Sequence, residues 1–186
     1  GSSNFTAFIG VAYGGRGEGE PDMNMDAVAI NNLNINDAVI YSTGGYTAAI
    51  VAYSQNVKSI SNCHIYNSTI TGKKVTAGIA AHLYTREYDV NSVMSDCSTD
   101  ANTTVTGTSN VGGLVGYQLG STIFHSVNGA KVTGTTNVGG ITGYTHDYEN
   151  NRNAYIIACG NTGDVTASDK TVGGITGYLV WDMPNH

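Results

Sequence analysis

Val111-Gly112-Gly113-Leu114-Val115-Gly116-Tyr117 decides the fold, because the pattern does not occur once. It returns as Val138-Gly139-Gly140-Ile141-Thr142-Gly143-Tyr144 and as Val172-Gly173-Gly174-Ile175-Thr176-Gly177-Tyr178. Two looser copies precede it, Thr47-Ala48-Ala49-Ile50-Val51-Ala52-Tyr53 and Thr76-Ala77-Gly78-Ile79-Ala80-Ala81-His82. A sixth trace, Thr6 to Tyr13, fits with one extra residue. Self-similarity at a fixed period is the mark of a repeat architecture, in which no single unit can bury its own apolar face.

Working outward, a second block recurs upstream of each copy. Its anchors are Ile30/Leu33/Ile40, Ile60/Cys63/Ile70, Met94/Cys97/Val105, Ile123/Ser126/Val132 and Ile156/Cys159/Val165. From the middle anchor to the central Ile or Leu of the next motif is 17, 16, 17, 15 and 16 residues. Units this regular, with short apolar runs separated by Gly, Asn and Ser, predict about three short strands per turn and a core continuous from copy to copy. The expectation is an all-β chain: a single parallel β-helix, or β-solenoid, of about five coils spanning residues 1–186. The crossover rule favours the right-handed sense. The paired Gly and Ala positions predict a narrow cross-section.

One spacing varies. From the residue closing each motif to the next anchor is 17, 7, 12, 6 and 12 residues, so three excursions, 14–26, 83–93 and 145–155, leave one corner on alternate coils. They hold 11 of the chain's 22 charged residues in 35 of its 186 positions.

Composition agrees. Gly is abundant (25 residues) and Pro nearly absent (2), as short strands and tight turns require. A net charge of −6 with 12 % charged residues excludes the electrostatic footprint of a nucleic-acid binder. No apolar run approaches the roughly 18 residues of a membrane span, so no direct membrane insertion is expected. The chain opens Gly1-Ser2-Ser3 rather than on Met, so the lack of a leader says nothing about compartment.

The Gly-Gly-[Ile/Leu]-x-Gly-Tyr core at Gly112–Tyr117, Gly139–Tyr144 and Gly173–Tyr178 resembles the GLUG motif. That motif occurs in tandem in secreted and surface-attached bacterial proteins, among them filamentous adhesins and the non-catalytic parts of immunoglobulin A-specific peptidases. The resemblance implies a bacterial extracellular or cell-surface scaffold linked to adhesion. It carries no catalytic residues over, since the motif is structural.

Particular residues bear chemistry. Cys63, Cys97 and Cys159 share a repeat position with Leu33 and Ser126, which reads as an inward ladder of free thiols. Tyr53, His82, Tyr117, Tyr144 and Tyr178 form an aromatic column, either a stack that braces the solenoid or a platform for sugar rings. Asp22, Asn24 and Asp26 have calcium-loop spacing but lack the Gly and closing Glu of an EF-hand, so a solvated acidic loop is the stronger reading. No zinc set and no phosphate loop is present, and no cofactor is expected.

The candidate ligand-binding residues lie on the excursions: Tyr84, Arg86, Glu87, Tyr88 and Asp89 on one, and His146, Asp147, Tyr148, Glu149 and Arg152 on the other. Two coils separate these segments, about 10 Å at their bases. Binding groups concentrate on loops held by rigid scaffolds. The expectation is therefore a non-enzymatic adhesion or binding module, a monomeric unit within a larger chain, with a glycan or protein ligand at the loop edge. A structural spacer is the first alternative. A β-helical glycan-processing enzyme using Glu87, Asp89, Asp147 and Glu149 as paired carboxylates is the second.

Overall fold

The computed structural model describes residues 4–14, 28–86, 91–147 and 153–180. All 27 strands of these segments are short, and each pairs in parallel only with strands five places before or after it in sequence. One turn therefore takes five strands, where the sequence spacing predicted three. In the central coil they are Val93–Ser95, Ser98–Thr99, Thr104–Thr106, Ser109–Gly112 and Val115–Leu119. These define five faces, here numbered first to fifth in that order. Stacking gives three five-stranded and two six-stranded sheets, which is the β-solenoid expected.

The two uncounted strands have identifiable reasons. The second face is only two or three residues long, and its inward position changes from Ile35 and Ile65 to Thr99, Asn128 and Asn161. A polar interior column has no hydrophobic signature. Its groups instead satisfy each other: Thr99 Oγ1 donates to Asn128 Oδ1 (2.5 Å), and Asn128 Nδ2 to Asn161 Oδ1 (2.7 Å) and to the Ala130 carbonyl (2.9 Å). The motif itself supplies two strands: the chain bends after Gly112 and resumes at Val115.

Aliphatic columns fill the rest of the core, as the anchors required: Ile30, Ile60, Met94, Ile123 and Ile156 on the first face, and Ile40, Ile70, Val105, Val132 and Val165 on the third. The cross-section is narrow for a visible reason. A Cβ on Gly113 would collide with the Asn128 side chain and the Gly140 carbonyl, and one on Gly140 with Asn161 and the Gly174 carbonyl.

Corners repeat as faithfully as strands. The residue entering the corner between the first and second faces is left-handed in every coil: Asn32, Asn62, Asp96, His125 and Ala158, with φ from 44° to 59°. Asn and Asp tolerate this region better than other residues with a Cβ, which accounts for three of the five. The next residue points inward and forms the expected ladder. Cys63 and Cys97 are fully buried free thiols, and Cys159 is half-buried. Each Sγ lies 3.2–3.3 Å from the carbonyl two residues before it and 3.5–3.6 Å from one on the preceding coil. Ser126 keeps the first of these contacts (2.9 Å) and accepts from the Cys97 amide.

Candidate functional site

The fifth face carries the aromatic column and leads to the variable corner. Its inward positions are Val51, Ala80 and Val115 and, three residues on, Leu83 and Gln118; Thr142 and Thr145 at the same places share a hydrogen bond of 2.7 Å. Because positions three apart both face inward, the pair between them is turned out together. That pair is a small residue and a ring. The small residue is required by the fourth-face strand packed against it: a Cβ on Gly116 would lie 2.6 Å from Val75 Cγ1 and 2.8 Å from the Ala81 carbonyl.

The rings stack in register. Centroid separations are 4.7 Å for Tyr53–His82, 5.1 Å for His82–Tyr117, 4.9 Å for Tyr117–Tyr144 and 5.4 Å for Tyr144–Tyr178, with interplanar angles from 2° to 23°. Each inner ring thus has both faces covered by its neighbours and presents only an edge to the surface. The column braces the solenoid; as a platform for sugar faces it is spent on itself. Burial pushes the His82 imidazole down to about 4, and its Nδ1 has no hydrogen-bond partner. Burial likewise raises the Tyr53 hydroxyl, with Tyr46 and Tyr13 adding to the rise and Arg86 opposing it.

The sixth motif trace does not align as a copy with one extra residue: Thr6 pairs with Thr47 but Ile9 with Val51, so the first coil is one residue shorter at the Phe8 bend. Val11 takes the ring position opposite Tyr53, and Tyr13 falls two places beyond it, beside Gln55. A second row therefore runs outside the stack: Tyr13, Gln55, Tyr84, Leu119, His146 and Val180. Tyr84 and His146 are two coils apart on it, as the repeat spacing demanded. Each meets the stack edge-on, Tyr84 against His82 (5.6 Å) and His146 against Tyr144 (6.1 Å). Gln55 links two hydroxyls: its Oε1 accepts from Tyr53 (3.0 Å) and its Nε2 donates to Tyr13 (3.1 Å).

All three excursions leave between the fifth and first faces, on alternate coils. Their bases are pinned. Ser92 N donates to Thr85 Oγ1 (3.0 Å) and Ser92 Oγ to the Tyr84 carbonyl (3.3 Å). At the equivalent place Ala154 N donates to Asp147 Oδ1 (2.6 Å). Arg86 N donates to Asn56 Oδ1 (2.7 Å), and Arg86 itself is exposed. The Asp147 carboxylate is thus engaged as a clamp that returns the chain to register. Glu87, Tyr88, Asp89, Tyr148, Glu149 and Arg152, and the acidic positions Asp22, Asn24 and Asp26, lie outside the described residues. Among the described residues no three His, Cys, Asp or Glu side chains gather into a metal site.

The Cys63 and Cys97 thiols share a proton network. A Cys63 thiolate would accept a hydrogen bond from the Cys97 thiol, which draws Cys63 down to about 7 and drives Cys97 up, burial adding to that rise. Both are sealed from solvent, so the pair reads as part of the core. At the N-terminal end a cavity of about 410 Å³ lies over Ile35 and Ile40 beside Phe8, where no further coil covers the first.

Sequence spacing put Tyr84 and His146 two coils apart at one corner, as the strand register has them, but did not single out Tyr46 or Gln55 or place Tyr13 on the outer row. Tyr46 opens a fourth-face strand and touches Tyr53 and His82 edge-on at 5.8 and 5.7 Å. The one available signal was that seven of the chain's twelve Tyr, at 13, 41, 46, 53, 66, 84 and 88, fall in its first half.

Comparison with known proteins returns little. No family model matches the chain, and no curated protein matches it. Among solved structures, the chain is similar to a Bacteroides ovatus protein described as a "putative immunoglobulin A1 protease", with a TM-score of 0.55 and 19 % identity. The match covers 83 % of this chain and 45 % of that one. At this identity the likeness establishes the β-solenoid fold that the two share, and the chain spans less than half of its neighbour's length.

Proposed function

We propose that the chain is a non-enzymatic binding module of a bacterial surface or secreted protein, with its ligand-contacting edge at the corner between the fifth and first faces. The supporting observation is the row Tyr13, Gln55, Tyr84, Leu119 and His146, from whose corner all three excursions depart. A rigid stack of parallel coils holds side chains on this row at fixed intervals. Rigidity matters because ordering mobile groups costs free energy on binding. The ligand is a glycan or a protein, and the tandem Gly-Gly-[Ile/Leu]-x-Gly-Tyr motif adds the link to adhesion. The test is capture of the chain on glycan and host-protein arrays, alongside a Tyr84→Ala/His146→Ala variant. Binding that the double substitution abolishes supports the reading; binding that it leaves unchanged, or no binding to any probe, leaves the chain a structural spacer.

The neighbour's description favours one second reading, proteolysis. Prolonged incubation with immunoglobulin A1 and fragment analysis tests it: cleavage that Asp147→Asn abolishes would replace the binding proposal. The engagement of Asp147 with the Ala154 amide supports a clamp instead.

A further inference from the structure

Aromatic side chains are unevenly distributed along the seam where the fourth and fifth faces meet. On its fourth-face side the N-terminal coils carry Phe5 and Tyr46, which stack at 5.5 Å, and both meet Tyr53 edge-on at 5.7 and 5.8 Å. Further along, the same side is polar: Asn137 Nδ2 donates to Asn110 Oδ1 (2.8 Å) and Thr171 Oγ1 to Asn137 Oδ1 (2.8 Å). On the outer row, Tyr13 and Tyr84 flank Gln55 at one end, and Leu119, His146 and Val180 follow at the other.

This end has the composition of a small-ligand site: apolar faces with a few placed polar groups. Tyr13 and Tyr84 stand in register one coil to either side of Gln55, so their backbones are about 10 Å apart. A six-membered sugar ring with aromatic contact on both sides spans a similar width. Tyr13 is 55 % exposed, so its ring is available. Between the two, the Gln55 amide, 6 % exposed, and the Tyr13 and Tyr53 hydroxyls form a hydrogen-bonded floor. His82, whose ring lies 4.7 Å from that of Tyr53 and 5.6 Å from that of Tyr84, is 7 % exposed with its Nδ1 unpartnered. Tyrosine supplies rigid, amphipathic contact area at low entropic cost.

Charge decides the class of sugar. Excursions 14–26, 83–93 and 145–155, whose ends lie at this corner, contain eight acidic and three basic residues, and so carry most of the chain's net charge of −6. An anionic glycan approaching the row meets like charge.

We infer that Tyr13, Gln55 and Tyr84, with the Tyr53 hydroxyl beside them, form a subsite for a neutral pyranose unit of a glycan chain. The inference rests on the binding-module reading and narrows it to one end of the edge. The experiment uses the 186-residue chain with neutral oligosaccharides (manno-, gluco- and galacto-configured hexamers) and anionic ones (oligogalacturonate, heparin hexamers), by titration calorimetry. The expected result is binding of at least one neutral series, about tenfold weaker or worse in Tyr13→Ala and in Tyr84→Ala, and within about twofold of wild type in Val127→Ala, whose side chain lies on another face. Far-ultraviolet circular dichroism and thermal midpoints check that both Tyr variants fold. Preferential binding of the anionic series overturns the inference. So does neutral-sugar binding lost on His146→Ala but kept in both Tyr variants, a result that would leave the binding edge standing. Binding of a protein partner with no affinity for any sugar also overturns the subsite and spares the module. No binding by any probe defeats both.

Discussion

His82 is the residue on which the aromatic column has a pH dependence. Its folded pKa, about 4, lies below the ordinary histidine value of 6.5 because burial disfavours the charged ring. The unfolded chain therefore binds the proton more readily. The stability that the neutral ring contributes is complete above about pH 6.5 and is lost as pH falls from there toward 4. A shift of this size corresponds to roughly 3 kcal/mol. Urea unfolding at pH 7 and pH 4.5 should show this loss, and His82→Tyr, which continues the column with a non-titrating ring, should remove most of it. An equal pH slope in the variant would assign the effect elsewhere. Asn128 is the corresponding residue inside. It is fully buried and links Thr99, Ala130 and Asn161. Asn128→Ala leaves polar neighbours without partners and should cost about 2–3 kcal/mol in chemical denaturation. A neutral outcome would mean that water replaces the amide. His82 occupies a repeat position that the spacing identified, whereas Asn128 lies on the second face, which the spacing did not count. Neither environment was legible, because a Tyr column with one His and an Asn among many Asn look alike whether they face in or out.

At the scale of elements, the excursions matter because they interrupt a structure that depends on register. A parallel coil that slips by one residue exchanges its inward and outward sets, so the chain must return to the same place after each excursion. The Asp147–Ala154 and Thr85–Ser92 hydrogen bonds enforce that return across seven residues each. Asp147→Ala should accelerate protease cleavage between residues 147 and 154 at least severalfold, with the remaining coils resistant. Asp147→Asn retains an acceptor oxygen and should behave as wild type. If the two variants are cleaved equally fast, the carboxylate acts by charge and not as a clamp. The corner itself was readable from spacing alone, since three long intervals fell at one point of the repeat. The pinning was not, because it depends on which side-chain oxygen meets which amide across the gap.

For the whole molecule, a solenoid divides its stability among neighbouring coils, so its ends lack one set of partners. The large apolar side chains left exposed reflect this: Phe8, Val39 and Tyr41 at one end, Val172, Tyr178 and Leu179 at the other, each at least 44 % exposed. Hydrogen exchange should be slowest in amides of residues 60–84 and 93–146 and progressively faster toward 4–14 and 165–180. Uniform protection would indicate that the chain unfolds as one cooperative block. The stacking rule also explains what each level of description was able to settle. Because every coil repeats the one before it in register, sequence alone determined the parallel architecture, the anchor columns, the thiol ladder and the single variable corner. Periodic position is a one-dimensional property and survives in the string of residues. Tertiary structure alone decided that five strands make a turn, that Thr99, Asn128 and Asn161 lie inside, and that the Tyr column spends its faces on itself while Tyr13 and Tyr84 fall in register with Gln55 on the row outside it. Those outcomes depend on the bend after Gly112 and on how closely the fourth and fifth faces approach, which are distances between segments that no spacing encodes.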